Sequence, residues 1–525
     1  MSDDFTQADR VAPTRHAPRV GLIMAFAAVV LTWLAAHTEV LFADGLRYIA
    51  QARAFELGRQ NEAIVRAVDH PAYPLAVAAM HRLIGGTGPE SWQIAAQSAS
   101  VLAALLLAIP IYLLCRDCFG DQAALPGSLL VFAVPVTGHV FADALSESTF
   151  LLSWTWGLWG AVRFLREGRP GWLAMVVAGS GLAYLTRPEG LLLPLTLGAT
   201  LAVHVGWLFR RVGRRAFLGV AAMGVGVLVT VGPFVVLKGG LGTKPSIARL
   251  LGTAPKSASH AVERQRPLDP DQTLGQTYVL AAQAVGKAVV EAVPIPLLIL
   301  AGIGAVSLGS SRLDRRGGTL LAVIGAAAVL ALIRLHATGG YCSPRHALVL
   351  SLILIPMAGF GLVSLTGSVS DRLGESGARL VRIAPLLGTV VLGALMAPES
   401  LTPVNEGMAG YRKAGRWLAS HAGSGTRVVD VTGWSQFYGG QPAGYTFENL
   451  ISAADDPSAR WVVVRKAHLT GPWDYCQRLD ALVRGLNPVA EFHSRAGRGV
   501  ATVQVFDRRA PRTTAAATKN RPTRR

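Results

Sequence analysis

The chain has 525 residues, of which 51% are hydrophobic and 16% are charged, and its formal net charge at pH 7 is +18. So few charges among so many apolar residues exclude an ordinary water-soluble protein. The basic excess does not indicate a nucleic-acid partner, because its arginines gather in short connections between apolar stretches, as in membrane proteins.

Apolar stretches of about 17 to 25 residues, long enough to cross a bilayer, recur through the first four hundred residues. They predict membrane spans at 20–37, 92–114, 123–142, 148–165, 172–186, 190–209, 216–237, 292–308, 319–335, 345–364 and 383–398. Basic residues precede the first span, but no small-residue cleavage site follows it, so it is predicted to be a helix and not a signal peptide. The fold class predicted is a polytopic α-helical membrane protein with about eleven transmembrane helices.

Arginine-rich connections give the orientation of these helices. The sequences LREGRPG, RRVGRR and SSRLDRRGG, the connection at 366–382 and the N-terminus fall on one side of the membrane when the spans are counted. The positive-inside rule assigns that side to the cytoplasm. Eleven spans then place the chain after residue 398 outside, which predicts a multi-pass protein of the plasma (inner) membrane.

The predicted organisation has four parts. These are a cytoplasmic tail at 1–19, a transmembrane domain at 20–398 with outer loops at 38–91 and 238–291, an extracytoplasmic α/β domain at 405–508, and a disordered basic tail at 509–525. In the third part hydropathy falls, and the residue pattern predicts strands at RVVDV, WVVVR, VAEFHSR and ATVQVFDR. The segments YRKAGRWLASHA and WDYCQRLDALVRGL predict the helices that accompany them.

The first outer loop contains an amphipathic segment, LRYIAQARAFELG. Its apolar residues include Leu46, Ile49 and Phe55, and its polar residues include Arg47 and Arg53, which fall on the other side of a helix. This pattern predicts a helix that lies in the membrane interface.

Ionisable and polar residues collect at the predicted outer ends of the spans. They are Asp44, Asp69, His70, Asp143, Glu147, Arg187, Glu189, Tyr341, Arg345 and His346. Charged groups are costly near hydrocarbon, so each is a candidate functional residue. A carboxylate that accepts a proton from an attacking hydroxyl, with arginines that hold a phosphate leaving group, is chemistry that this set could perform.

Four segments carry a resemblance to a known family: ADGLRYIAQARAFELG, DHPAYPLAVAAMHRLIG, SESTFLLSWTWGLWGAVRFL and GLAYLTRPEGLLLPL. Together they resemble the GT-C superfamily of membrane glycosyltransferases, and within it the protein O-mannosyltransferases and the aminoarabinose transferases of lipid A. The resemblance covers roughly residues 20–365. It implies a sugar donor linked to polyprenyl phosphate and a site on the outer or lumenal face.

In that superfamily the acidic residue after the first membrane helix is the proposed general base, which corresponds to Asp44. A second acidic position corresponds to Asp143 or Glu147. The residues predicted to bind substrate are Asp143, Glu147, Arg187, Glu189, Tyr341, Arg345 and His70. Family members often have two adjacent acids after the first helix, whereas Gly45 follows Asp44 here. The resemblance therefore leaves open whether the protein uses a divalent metal as cofactor.

Structural roles are the alternatives for these residues. Asp44 could cap the helix that follows it, Asp143 and Glu147 could cap another, and Arg187 could reach the lipid headgroups. At the level of function, the first hypothesis is an inverting transfer of sugar to a protein, lipid or glycan acceptor. The alternatives are a transporter or lipid flippase, which places charges near the bilayer midplane, and a scaffold, in which the candidate residues do not converge.

Overall fold

A computed structural model of the protein describes residues 16–207, 209, 213–241, 247–248, 250, 252, 273–311, 313, 315–373, 377–423, 426–441, 444–446, 449–471, 473–497 and 499–511. Most of the predicted tail at 1–19, the centre of the predicted loop at 238–291 and nearly all of the predicted tail at 509–525 lie outside these residues.

Helices dominate the first four hundred residues. The longer ones are α1 (Ala17–His37), α2 (Ala43–Glu56), α3 (Ala72–Ile84), α4 (Pro89–Phe119), α5 (Asp121–Ala133), α6 (Pro135–Ala142), α7 (Glu147–Glu167), α8 (Trp172–Tyr184), α9 (Leu192–Val203), α10 (Gly213–Lys238), α11 (Leu274–Ala292), α12 (Ile295–Val306), α13 (Arg315–Gly339), α14 (Leu348–Leu373) and α15 (Gly377–Ser400). Proline lies in the first turn of α4, α6 and α12, where its missing N–H breaks no helical hydrogen bond.

The predicted count of about eleven membrane helices is not confirmed. Among the described residues six helices are long and apolar enough to cross a membrane: α1, α4, the Phe217–Lys238 part of α10, α13, α14 with the turn before it, and α15. Two bent pairs, α5 with α6 and α11 with α12, raise the number to as many as eight. The difference arises because α8 and α9 have only 13 and 12 residues, and because polar residues and tryptophans lower the hydropathy of α7.

The centre of the bundle is formed by α4 and α14. Helix α4 packs against α1, α3, α5 and α7, and α14 packs against α5 and α12. At the crossing of α12 and α14 the two backbones are in direct contact. A methyl group on Gly361 would therefore overlap the carbonyl oxygen of Leu300. Only glycine fits at position 361, because there is no space for a side chain between the two helices.

The C-terminal part forms a small sheet covered by helices. Its elements are α16 (Ala409–His421), β1 (Arg427–Val429), α17 (Trp434–Tyr438), β2 (Ala459–Arg465), α18 (Asp474–Val483), β3 (Ala490–Ala496) and β4 (Gly499–Asp507). The strand order is β1-β2-β4-β3, in which β1 and β2 are parallel and the other pairs are antiparallel. Along β2, Trp461 and Val463 pack with α16, whereas Val462 and Val464 pack with α18. Both faces of the sheet are therefore covered, and for this reason β2 has a continuous run of apolar residues.

Replacing Gly361 with alanine is expected to destabilise the bundle by about 1 to 3 kcal/mol, because the added methyl group forces α12 and α14 apart. The control is Gly302→Ala on α12, where an added Cβ meets nothing within 4 Å. Thermal unfolding of the purified protein in detergent compares the two. Equal unfolding temperatures would show that the crossing tolerates a side chain.

Candidate active site

Asp44 lies in the first turn of α2, close to the junction with α1. The N-cap of α2 is Phe42, so the alternative in which Asp44 caps this helix is wrong. A carboxylate in the first turn is favoured by the partial positive charge of the helix N-terminus. Its side chain is only 9% exposed, although the sequence pattern predicts a helix with a free polar side.

Both carboxylate oxygens of Asp44 face arginines. Its Oδ1 lies 3.3 Å from Nη1 of Arg47, one turn further along α2. Its Oδ2 accepts a hydrogen bond of 2.6 Å from Nη2 of Arg345, which lies in the turn before α14. The Arg345 guanidinium also stacks over the ring of Phe42, 4.6 Å from its centroid, an arrangement that holds the cation next to Asp44.

Glu147, the first residue of α7, joins two arginines. Its Oε1 lies 2.8 Å from Nη1 of Arg187 and 3.6 Å from Nη1 of Arg345. Arg187 has an extended backbone before Pro188, and its other nitrogen, Nη2, pairs with Glu189 at 2.9 Å. Burial lowers the pKa of the Arg187 guanidinium, but the charges of Glu189 and Glu147 outweigh this effect and raise the pKa well above its usual value.

These contacts join seven charged side chains into one series, which we name the ion-pair chain. In order of contact its members are Asp69, Arg47, Asp44, Arg345, Glu147, Arg187 and Glu189. Carboxylates and guanidiniums alternate throughout, so each charge has a neighbour of opposite sign. Glu147 in the middle is 3% exposed, whereas Glu189 at one end is 42% exposed.

Two buried hydroxyl groups adjoin the ion-pair chain. The Tyr48 and Ser146 hydroxyls lie 3.0 Å apart, and Nη1 of Arg187 lies 3.5 Å from the Ser146 oxygen. Tyr48 and Ser146 are not among the residues predicted from the sequence, and the polar side predicted for Arg47 does not indicate its contacts with Asp44 and Asp69. Two features of the sequence could have indicated these residues. Arg47 follows Asp44 by three positions, which makes the two side chains neighbours on a helix, and Ser146 directly precedes Glu147.

Asp143 lies apart from the ion-pair chain. Its carboxylate accepts hydrogen bonds from the backbone N–H groups of Phe42 and Ala144 and from the side-chain amide of Asn405. It forms no ion pair within the described part of the chain. Burial raises the pKa of Asp143 to about 6 in spite of these hydrogen bonds. Of the two acids that the sequence left as alternatives, Glu147 is the one in contact with arginines.

The remaining predicted residues surround the site. The buried His70 ring, next to Asp69 in sequence, packs against the rings of Tyr184 and Phe234 at centroid distances of 5.1 and 5.0 Å. Tyr341 is 38% exposed and meets the ring of His346 edge to face at 5.7 Å. The His346 Nδ1 contacts Ser343 at the start of the turn that carries Arg345, so His346 orders this turn.

The residues of the site do not fit a divalent metal. Among the residues that the structure describes, no group of three or more His, Cys, Asp or Glu side chains is arranged to hold an ion. Both oxygens of Asp44 face arginines instead. The position where a second acid would stand has no room for one, because a Cβ on Gly45 would lie 2.8 Å from the Cβ of Ala144 and 2.9 Å from its carbonyl oxygen.

Gly45→Ala is expected to lower the free energy of unfolding by about 1 to 3 kcal/mol, because the methyl group pushes α2 away from Ala144. Gly45→Asp should be still less stable. Gly21→Ala on α1 is the control, since an added Cβ there meets nothing within 4 Å. Thermal unfolding in detergent measures all three, and a stable Gly45→Asp protein would contradict the steric explanation for the missing second acid.

One protein family matches part of this chain in sequence. Residues 69–236 match the family described as dolichyl-phosphate-mannose-protein mannosyltransferase. A search of curated protein sequences finds no significant match.

Solved structures share the fold of nearly the whole chain. ArnT from Cupriavidus metallidurans, bound to undecaprenyl phosphate, superposes with a TM-score of 0.58 at 16% identity, over 94% of this chain and 98% of ArnT. The oligosaccharyltransferase AglB from Archaeoglobus fulgidus, in complex with an inhibitory peptide and a dolichol-phosphate, gives 0.54 at 11% identity, over 94% and 74%. Its complex with zinc and sulfate gives 0.57 at 13% identity, over 91% and 72%. The predicted resemblance is therefore confirmed: the chain has the fold of the GT-C superfamily of membrane glycosyltransferases and resembles its mannosyltransferases and aminoarabinose transferases.

Proposed function

We propose that the protein is a membrane glycosyltransferase that transfers a sugar from a polyprenyl-phosphate donor to a hydroxyl or amine acceptor, with inversion at the anomeric carbon. The observation that carries this proposal is the position of Asp44, a buried carboxylate held between two arginines of the ion-pair chain. This position supports the role of a base beside cations that suit a phosphate. The polyprenyl phosphates bound in the ArnT and AglB structures support the class of donor.

The proposed reaction is a single displacement. Asp44 accepts the proton of the acceptor hydroxyl or amine while that group forms a bond to the anomeric carbon of the sugar. The bond between the anomeric carbon and the phosphate oxygen breaks, and the polyprenyl phosphate leaves with the electron pair. Attack on the face opposite the leaving group gives inversion.

Arg345 and Arg187 are the proposed ligands of the phosphate. Both guanidiniums contact Glu147, so their forks are held in one region and are largely shielded from water. A guanidinium can bind two oxygens of a phosphate at once, and this interaction strengthens where water is excluded. Negative charge grows on the phosphate as the bond breaks, so these cations stabilise the transition state more than the bound donor.

The location of the charged residues at helix ends and in turns favours an enzyme over a transporter or flippase. Asp44 and Glu147 lie in the first turns of α2 and α7, and Arg187 lies in a turn. A transporter is expected to carry ionisable groups within its spans, near the bilayer midplane. The convergence of Asp44, Glu147 and Arg187 also argues against a scaffold without a site.

We further propose that the site faces outward from the plasma membrane, as the positions of the arginine-rich connections predict. The C-terminal part belongs on the same side, since the Trp434 indole N–H donates to the carbonyl oxygen of Leu41, three residues before Asp44. The acceptor would then be an extracytoplasmic protein, lipid or glycan.

Asp44→Asn is expected to lower sugar transfer by about 10²- to 10⁴-fold, because the amide cannot accept the acceptor's proton. The assay measures release of polyprenyl phosphate from radiolabelled polyprenyl-phosphate hexoses and pentoses in membranes that contain the full-length protein. Asp507→Asn is the control, since Asp507 also pairs with an arginine, Arg460, but lies in the C-terminal sheet. Unchanged turnover by Asp44→Asn would remove Asp44 from the role of base.

Arg187→Lys is expected to lower kcat/KM for the donor by about tenfold, because lysine keeps the positive charge but loses the planar fork that binds two oxygens. The retained charge still balances Glu147, so the unfolding temperature should stay near that of the parent. Arg460→Lys is the matched control in the C-terminal sheet. If both variants transfer sugar at the parent rate, Arg187 does not bind the phosphate.

A further inference from the structure

The five residues 38–42, which connect α1 to α2, are held by side chains along their whole length. Four side chains donate hydrogen bonds to its carbonyl oxygens: Gln93 to Thr38 (2.8 Å), Arg412 to Glu39 (3.0 Å), Asn405 to Val40 (3.1 Å) and Trp434 to Leu41 (2.8 Å). Two side chains accept from its backbone N–H groups: Tyr438 from Leu41 (3.1 Å) and Asp143 from Phe42 (3.0 Å). The segment ends directly before α2, whose second residue is Asp44.

Most of these partners come from the far end of the chain. Asn405 precedes α16, Arg412 lies on it, and Trp434 and Tyr438 are the first and last residues of α17. A backbone segment outside regular structure must satisfy its buried polar groups with side chains or water. Here the C-terminal part supplies four of the six side chains.

Burial makes this attachment firm. Val40 and Leu41 are 0% exposed, and Trp434 and Tyr438 are 5% and 4% exposed. Val40 belongs to the same apolar cluster as Trp434 and Tyr438, beneath α16. The segment therefore cannot shift without opening the core of the C-terminal part.

Asn405 adopts a conformation that its attachment explains. Its φ of 56° is the only positive value at a non-glycine residue among those described, and asparagine is one of the few residues that adopt left-handed backbone readily. In this conformation its amide donates both to the carbonyl oxygen of Val40 and to Asp143, which in turn accepts from Phe42. The left-handed backbone of Asn405 thus coincides with one hydrogen bond to the segment and one to Asp143, which also holds the segment.

We propose that the C-terminal part of the chain positions the base, and that Trp434 and Tyr438 are positioning residues that act on Asp44 through the backbone of Leu41. This inference rests on the proposed function, in which Asp44 accepts the acceptor's proton. A displacement of a reacting group by about 1 Å can slow a reaction by about 10²-fold, so the fixed start of α2 bears directly on the rate.

The test compares Trp434→Phe and Tyr438→Phe with two matched controls in the same core. Trp461→Phe removes a buried indole whose N–H has no hydrogen-bond partner within the described part of the chain. Tyr411→Phe removes a buried hydroxyl that accepts from the backbone of Arg465 and not from residues 38–42. Each full-length variant is measured for thermal unfolding, for amide hydrogen exchange of the peptide covering residues 38–46, and for kcat and donor KM.

Trp434→Phe and Tyr438→Phe are expected to accelerate exchange in this peptide and to lower kcat by about tenfold, with donor KM within about twofold of the parent. The controls should reduce stability by a similar amount without either effect. Unchanged exchange in both test variants would overturn the proposal, as would faster exchange with an unchanged kcat. If the parent transfers no sugar, the proposed function fails, and the exchange rates alone decide whether the C-terminal part holds the segment that precedes Asp44.

Discussion

The pairing of buried carboxylates with arginines is the interaction on which the site depends. A charge removed from water costs several kcal/mol unless an opposite charge and hydrogen bonds replace the lost hydration. Asp44 and Glu147 are both buried, and Arg345 contacts both of them. Because these residues belong to α2, α7 and the turn before α14, their pairing constrains how three distant parts of the chain meet. The low dielectric constant that makes the pairing necessary also strengthens the attraction between the arginines and any anion that replaces a carboxylate beside them.

Much of this arrangement could be predicted from the sequence, because charged residues at the ends of apolar stretches are few. Their position at the ends of apolar stretches indicates Asp44, Glu147, Arg187 and Arg345, and short apolar runs predict the C-terminal strands. Helix periodicity puts Arg47 on the polar side of α2, where its side chain is 44% exposed, but periodicity does not show that Arg47 contacts Asp44 and Asp69. The count of about eleven spans is not confirmed, since hydropathy measures composition and cannot show where an apolar stretch ends as a short helix.

The choice between Asp143 and Glu147 shows a second limit of sequence reasoning. The two acids stand four positions apart at the start of one predicted span, and either could face the site. In the structure Asp143 has an extended backbone between α6 and α7, and its carboxylate accepts from the N–H of Phe42. The same carboxylate accepts from the side-chain amide of Asn405, which is 262 positions away from Asp143 in the sequence. Contacts of this range leave no periodic pattern in the sequence.

The composition of the ion-pair chain has a consequence for electroneutrality during turnover. Its four carboxylates and three guanidiniums together carry one excess negative charge. In the proposed reaction a phosphodiester with one negative charge becomes a phosphate monoester with two. The proton transferred to Asp44 neutralises one carboxylate at the same moment, so the total charge of protein side chains and phosphate is the same before and after transfer. The site can thus complete the chemical step without drawing a counterion from solution.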